Sequence, residues 1–216
     1  TIETTTDPKI AAEFLASRIL DQLKEGRKVL WLIPGGSAIT VAIEASRIIS
    51  KYNHSNLVVT LTDERYGPVG HKDSNWQQLL DKGFSLPKAK LVPVLFGESM
   101  NMTTQKFNTI IGDGLEKADY KIGLFGIGAD GHTAGILPKS EAIRAKDLVS
   151  GYKASQFERI TITPKVVEKL DEAVVWAQGE EKWPVLENLA KEIDINLQPA
   201  HILKKVPKLV IFTDKK

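Results

Sequence analysis

Short apolar runs alternate with runs of helical periodicity along most of this chain. Val29–Ile33 and Leu57–Leu61 are apolar at nearly every position and too short for buried helices, as expected of strands that are covered on both faces. Between them, residues 38–50 place apolar side chains at helical spacing. Strands that alternate with helices indicate βαβ units. We therefore predict an α/β fold with a mainly parallel, Rossmann-like sheet and helices on both of its faces.

The same periodicities predict the remaining elements. Asp7 is a suitable N-cap, Pro8 suits the first helical turn, and Gly26 is placed to end a helix over residues 9–25. Later strands are predicted at residues 91–94, 122–125, 160–162, 173–177 and 209–212, and later helices at 75–80, 104–115, 164–170 and 180–192. Because the chain has no internal repeat or convincing linker, residues 1–216 are predicted to form a single domain.

Composition limits the classes of function. The formal net charge of +2 argues against broad electrostatic binding to nucleic acid or membranes, so an anion site must be built locally. The absence of cysteine excludes disulfides, thiolate metal sites and thiol nucleophiles. No apolar run approaches the roughly 20 residues that span a bilayer. The N-terminal residues lack a basic-then-apolar export pattern, so we expect a cytoplasmic protein.

The segment Gly128-Ala129-Asp130-Gly131-His132-Thr133 follows a predicted strand directly. Glycines allow a backbone to turn sharply and to approach a ligand closely. An imidazole held in such a turn is suited to proton transfer near neutral pH. The segment is therefore a candidate catalytic loop.

The spacing Gly126-x-Gly128-x-x-Gly131 also matches a dinucleotide-binding pattern. That pattern needs a helix at its last glycine and an acidic residue roughly 20 positions further on. Here Pro138 interrupts the chain, and no amphipathic helix connects the glycines to Asp147. We therefore favour a small-molecule site over a nucleotide site.

Two other loops follow predicted strands, at the edge of the sheet where α/β proteins bind ligands. Pro34-Gly35-Gly36-Ser37 leads into a helix whose first N–H groups favour an anion, although an ordinary tight turn has the same composition. Thr62-Asp63-Glu64-Arg65-Tyr66 begins a predicted polar loop that suits a polyhydroxylated ligand, although its residues taken alone favour a solvated loop with a surface ion pair. Arg159 and Lys182, further on, are singly unremarkable. His54, His71 and His201 show no metal-binding spacing and are predicted to be structural.

Taken together, the segments resemble the 6-phosphogluconolactonase family, within the wider glucosamine-6-phosphate isomerase/deaminase-like fold. The matching pieces occur in family order over about three-quarters of the chain: Gly35-Gly36-Ser37, Asp63-Glu64-Arg65, Ser74-Asn75, Gly126 to Ala134 with Pro138, Arg159-Ile160-Thr161 and Gly179-Glu180-Glu181-Lys182. The chain departs from the family at Ala38-Ile39, where Thr-Pro is usual, and at Gly135-Ile136-Leu137, where Ser-Leu-Phe is usual.

The resemblance implies hydrolysis of 6-phospho-D-glucono-1,5-lactone to 6-phosphogluconate, in the oxidative pentose phosphate pathway. It assigns His132 as general base and Asp130 as the group that orients it. Arg65 or a backbone N–H would stabilise the oxyanion. Neither a metal nor a cofactor is implied. The residues expected to bind the substrate and its phosphate are Gly35, Gly36, Ser37, Asp63, Arg159 and Lys182.

Two alternatives share the fold. Related deaminases carry a catalytic glutamate just before the proline of the histidine motif, and here that position is Leu137, which cannot carry a proton. A non-catalytic sugar-phosphate sensor would be expected to carry a DNA-binding helical segment, for which neither end of this sequence has room. We therefore favour the lactonase. Oligomeric state and tolerance for other lactones stay open.

Overall fold

A seven-stranded sheet, in which every neighbouring pair of strands is parallel, forms the centre of the computed structural model, which describes residues 1–216. Its strands, in spatial order, are β1 (Ile2–Thr4), β10 (Lys208–Thr213), β9 (Glu172–Ala177), β6 (Tyr120–Gly126), β2 (Val29–Ile33), β3 (Leu57–Leu61) and β5 (Lys90–Leu91). A second, antiparallel sheet has the order β4 (Asp63–Arg65), β8 (Glu158–Ile162) and β7 (Val149–Lys153).

Six α-helices flank these sheets: α1 (Pro8–Lys24), α2 (Ile39–Ile49), α3 (Asn75–Asp81), α4 (Met100–Lys117), α5 (Pro164–Val167) and α6 (Trp183–Asn188). Every residue of β2 and β9 is buried. Because side chains alternate between the faces of a strand, both faces of the central sheet are covered, as predicted. None of the helices has the length and apolar character needed to cross a membrane.

The residues predicted to cap or end α1 and α3 do so in the structure. The Asp7 side chain accepts a hydrogen bond from the Lys9 N–H, and Gly26 adopts a positive φ just after α1. The Ser74 hydroxyl accepts from the Gln77 N–H and caps α3. The predicted strands at 29–33 and 57–61 are also confirmed.

Several predicted boundaries were wrong for local reasons. The strand expected at 91–94 ends at Leu91, since Pro93 has no N–H to continue the ladder. The helix expected at 104–115 starts earlier, because Ser99 caps it. The helix expected at 164–170 ends at Val167 and continues as tight turns. The helix expected at 180–192 divides into a 3₁₀ turn at Glu180–Lys182 and α6.

The small antiparallel sheet is the main feature that the sequence prediction missed. The predicted polar loop after β3 contains β4, and the predicted strand at 160–162 belongs to β8 rather than to the parallel sheet. Asp63, Glu64 and Arg65 have none of the apolar character by which a strand is recognised. Their pairing with β8 is tertiary, so periodicity alone does not show it.

The order of the strands determines where a ligand is expected. From β2 the chain proceeds through β3 to β5 on one side, while from β6 it proceeds through β9 to β10 on the other. The neighbours β2 and β6 therefore form the topological switch point, beyond whose carboxyl ends open α/β sheets bind ligands.

Candidate active site

A cleft with a volume of about 350 Å³ opens at this switch point. We call it the site cleft, and its lining comes from the loops after β2, β3, β6 and β9 and from the small sheet. It is lined by Pro34, Gly35, Gly36, Ser37, Asp63, Arg65, Asn75, Gly126, Ile127, Gly128, His132, Ala134, Gln156, Arg159 and Lys182. The structure thus brings together every residue predicted for the site except Asp130, which contacts His132 but does not itself line the cleft.

His132 and Asp130 form a hydrogen-bonded pair at the mouth of the cleft. Asp130 Oδ1 lies 2.6 Å from His132 Nδ1 and also accepts from the His132 backbone N–H at 3.0 Å. The hydrogen bond from the His132 side chain lowers the pKa of the Asp130 carboxyl, so Asp130 is ionised at neutral pH. An ionised carboxylate only accepts hydrogen bonds, so Nδ1 carries the proton and Nε2 is left as the basic nitrogen.

The backbone of the loop fixes this imidazole in place. Gly128 N–H donates to the His132 carbonyl, and Thr133 forms bridges with Ile127 and Ile136. No helix begins after Gly131, so the segment lacks the geometry of a dinucleotide site. The histidine ring lies directly over Gly128, where an added Cβ would be 2.2 Å from ring atoms.

We expect Gly128→Ala to lower turnover by about 10²-fold, because the new methyl group forces the imidazole out of position. Gly112→Ala, in α4 and outside the cleft lining, is the matched control, since a Cβ there comes no closer than 3.6 Å to a neighbouring atom. The measurement is turnover of both variants together with their thermal unfolding midpoints. Equal turnover in the two variants would show that the position of the ring is unimportant.

The Pro34–Ser37 loop forms another part of the cleft wall. Gly36 adopts a φ of +69° and begins a 3₁₀ turn, Gly36–Ala38, which continues directly into α2. The first N–H groups of a helix have no partner within it, and the helix dipole favours an anion there. Gly36 and Ser37 are both exposed in the cleft. The loop therefore offers backbone N–H donors and one hydroxyl to a negatively charged group.

Arg65 and Arg159 lie side by side on the floor of the cleft. They are register partners on β4 and β8, so their side chains leave the small sheet on the same face. Asp63 Oδ2 lies 3.7 Å from Arg159 Nη1, and both of these side chains are largely buried. Arg65 Nη1 donates to the Asp73 carbonyl at 3.3 Å. Two guanidinium groups with one nearby carboxylate leave an excess of positive charge.

Glu64, although in the same cluster, is structural and does not line the cleft. Its fully buried carboxylate accepts from the backbone N–H groups of Arg65, Asn75 and Trp76 and from the Ser74 hydroxyl. Burial raises the pKa of the Glu64 carboxyl against the lowering effect of these hydrogen bonds. The carboxylate thereby fixes the start of α3 beneath the cleft.

Lys182 adds a third cationic side chain to the lining of the cleft. It ends the 3₁₀ turn that follows β9, where its backbone N–H donates to Gly179. Its side chain forms no ion pair, although glutamates precede it in sequence. A half-buried ammonium group that faces a cleft without a partner is available to a ligand.

Sequence reasoning missed Asn75 and Gln156 as cleft residues. Asn75 packs against Gly35, where a Cβ would be 2.2 Å from its Oδ1, and that oxygen is buried without a partner. The resemblance to the family included Asn75 among the matching residues, but the sequence did not show that Asn75 contacts Gly35. Gln156 lies in the turn between β7 and β8, and no signal marks it because β7 itself was not predicted.

The three other histidines and Leu137 lie outside the cleft. His54 joins the Tyr52 carbonyl to the Lys88 N–H, and His71 Nε2 contacts the Arg65 carbonyl. His201 is buried among core residues. Leu137 packs against the hydrophobic core.

Comparisons with known proteins agree on one family. A family model described as glucosamine-6-phosphate isomerases/6-phosphogluconolactonase matches residues 8–211. A 6-phosphogluconolactonase of Chlamydia pneumoniae is 25% identical over 178 residues, which cover 78% of this chain and 68% of that protein. One of Borreliella burgdorferi is 29% identical over 178 residues, with 72% of this chain and 71% of that protein covered.

Solved structures share the fold over almost the whole chain. The crystal structure of a 6-phosphogluconolactonase from Thermotoga maritima superposes with a TM-score of 0.82 at 22% identity, covering 100% of this chain and 99% of that one. A 6-phosphogluconolactonase from Trypanosoma brucei gives a TM-score of 0.74 at 20% identity, with 98% and 94% covered. At these identities the likeness establishes the architecture.

Proposed function

Since the chain belongs to the family of glucosamine-6-phosphate isomerases and 6-phosphogluconolactonases, we propose that it hydrolyses 6-phospho-D-glucono-1,5-lactone to 6-phosphogluconate. The observation that carries the proposal is the His132–Asp130 pair, whose free Nε2 stands in a cleft with three cationic side chains. The curated relatives that match this chain are 6-phosphogluconolactonases, which favours this branch of the family.

His132 carries the proton through both halves of the reaction. Its Nε2 accepts a proton from water as the water oxygen bonds to the lactone carbonyl carbon, which gives a tetrahedral intermediate. Collapse of this intermediate breaks the bond between that carbon and the ring oxygen, and the ring oxygen receives the proton from Nε2. Asp130 keeps Nδ1 protonated throughout and stabilises the imidazolium. The products are a free carboxylic acid and a hydroxyl group.

Two negatively charged groups must be accommodated in the cleft. The phosphate is a dianion, which suits the N–H groups of Gly36 and Ser37 together with Arg159 and Lys182. Asp63 supports this arrangement by its ion pair with Arg159. The oxygen of the tetrahedral intermediate needs a preorganised donor, and Arg65 supplies one from the floor of the cleft.

The second candidate, an amino-sugar phosphate deaminase, needs an acid at position 137 for ring opening. Leu137 supplies no proton, and it packs into the core instead of the cleft. We expect the purified protein to release no ammonia from glucosamine 6-phosphate above background, while the same preparation accelerates hydrolysis of the phosphorylated lactone. Ammonia is measured with a coupled glutamate dehydrogenase assay.

Leu137→Glu is a useful companion in that experiment. This substitution puts a glutamate at the position where the deaminases carry theirs. Residue 137 does not line the cleft, so the new carboxylate should not reach the substrate and ammonia release should stay at background. Rapid ammonia release by the unmodified protein would replace the lactonase proposal with the deaminase.

A further inference from the structure

Phe157 lies beneath the two arginines of the site cleft, although it does not line the cleft itself. The Arg65 guanidinium carbon is 4.6 Å from the centroid of the Phe157 ring, and that of Arg159 is 5.9 Å from the same centroid. Both distances lie within the range of a cation–π contact. One aromatic ring therefore contacts two cations that come from different strands.

These cations need such support because the fold sets them against each other. Arg65 and Arg159 are directly opposed on antiparallel strands, an arrangement that is destabilising for like charges. Asp63 offsets only part of this repulsion, since its carboxylate is 3.7 Å from Arg159 and accepts a hydrogen bond from Thr62 as well. The negative face of the Phe157 ring attracts both guanidinium groups.

The Nε atoms of the two arginines indicate how few polar contacts hold these side chains beside the ring. Both Arg65 Nε and Arg159 Nε are buried without a hydrogen-bond partner. The stems are thus out of water, and few polar contacts hold them: one carbonyl for Arg65 and one carboxylate for Arg159. One polar contact does not fix all the torsion angles of an arginine side chain. Packing against the Phe157 ring restricts those that remain.

Backbone hydrogen bonds fix the conformation of the turn that carries Phe157. The Ala154 N–H donates to the Phe157 carbonyl and closes the connection between β7 and β8, and the Tyr66 N–H donates to the Glu158 carbonyl next to it. Phe157 is two residues before Arg159, so both side chains lie on the same side of this strand. The ring is therefore anchored to the element that carries one of its arginines.

We infer that Phe157 is a positioning residue that holds Arg65 and Arg159 in the orientation in which they bind the anionic substrate. This inference rests on the proposed function and adds to it a residue outside the cleft lining. The ring acts only through the two guanidinium groups. Its loss should therefore weaken recognition of the phosphorylated lactone without removing the general base.

We expect Phe157→Leu to raise KM for the phosphorylated lactone about three- to tenfold, from the loss of contacts at two partly desolvated cations. kcat should fall as well, by a similar factor, because Arg65 is also the proposed donor to the oxygen of the tetrahedral intermediate, a contact that is made in the transition state. Phe157→Tyr retains the aromatic face and should restore KM. Ser155→Ala, at an exposed position of the same turn, is the matched control and should have no effect.

Two further measurements separate positioning from simple structural damage. The thermal unfolding midpoint of each variant reports the fold, and the KM for unphosphorylated gluconolactone should not change. In an Arg159→Ala background, Phe157→Leu should raise KM by a smaller factor, because one of its two partners is gone.

An unchanged KM in Phe157→Leu, with hydrolysis by the unmodified protein intact, would overturn the inference and leave the proposed function standing. A KM that rises equally in Phe157→Tyr, or equally for both lactones, would also overturn it. Failure of the unmodified protein to hydrolyse the phosphorylated lactone would remove the proposed function and this inference together.

Discussion

Replacement of His132 by alanine is expected to lower turnover on the phosphorylated lactone by about 10²–10⁴-fold. Nε2 is the free nitrogen of an imidazole whose Nδ1 is held by Asp130, and the carboxylate of Asp63, which also lines the cleft, is paired with Arg159. Turnover is measured with freshly prepared lactone, after subtraction of its spontaneous hydrolysis. KM should change little, because the phosphate contacts come from other loops.

The fold of this variant should be unaffected. The His132 side chain is 34% exposed, and its one polar contact is with Asp130, which is more exposed still. An unfolding midpoint close to that of the unmodified protein is therefore the control. A folded His132→Ala variant with near-normal turnover would remove this residue from the mechanism.

Removal of Lys182 should produce the second large effect, a rise in KM of roughly one to two orders of magnitude. A charge-assisted hydrogen bond contributes about 1.5–3 kcal/mol, and each 1.4 kcal/mol corresponds to about a factor of ten. Lys182 is a cleaner test than Arg159, because loss of Arg159 also leaves the buried Asp63 carboxylate without its cation. Steady-state kinetics of Lys182→Ala and Arg159→Ala provide the measurement.

The matched control is Lys51→Ala, which removes the same charge from an exposed position beyond the far end of α2. Unphosphorylated gluconolactone should be a poor substrate for the unmodified protein, and its KM should not respond to Lys182→Ala. Equal efficiency on the two lactones, or an unchanged KM in Lys182→Ala, would show that the phosphate site has been placed wrongly.

The parts of the fold that the sequence predicted are those in which local signals act alone. β2 and β3 are continuous apolar runs, and α1 carries its own cap and terminating glycine. The loops after these strands were placed at one edge because the carboxyl ends of parallel strands meet there. Hence Gly36, Ser37 and His132 were grouped correctly without any measured distance.

The small sheet was missed because its stability comes from partners distant in sequence. Arg65 and Arg159 pair across almost a hundred positions. β4 has no apolar residue to mark a buried face, and the alternation of Ile160 and Ile162 in β8 does not show which strand it pairs with. The role of Glu64 was missed for a related reason. Its buried carboxylate is satisfied by the start of α3, whereas the sequence places it in an ordinary polar loop.

Phe157 shows most clearly what could not be predicted from the sequence. In sequence it is a lone aromatic residue beside a charged cluster, with nothing to distinguish it from a residue of the core. Only the register of β4 and β8 brings Arg65 over the ring from another strand. Had the strand at 160–162 been extended to begin near residue 157, alternation alone would have placed Phe157 and Arg159 on one side.

The central claim is lactone hydrolysis, and its most direct test is the rate at which the purified protein converts fresh 6-phospho-D-glucono-1,5-lactone. Formation of 6-phosphogluconate is followed with 6-phosphogluconate dehydrogenase in excess, at several concentrations of the protein. We predict a rate that rises in proportion to the protein, far above the spontaneous reaction, and that is lost in His132→Ala. A rate that equals spontaneous hydrolysis at every protein concentration would contradict the account.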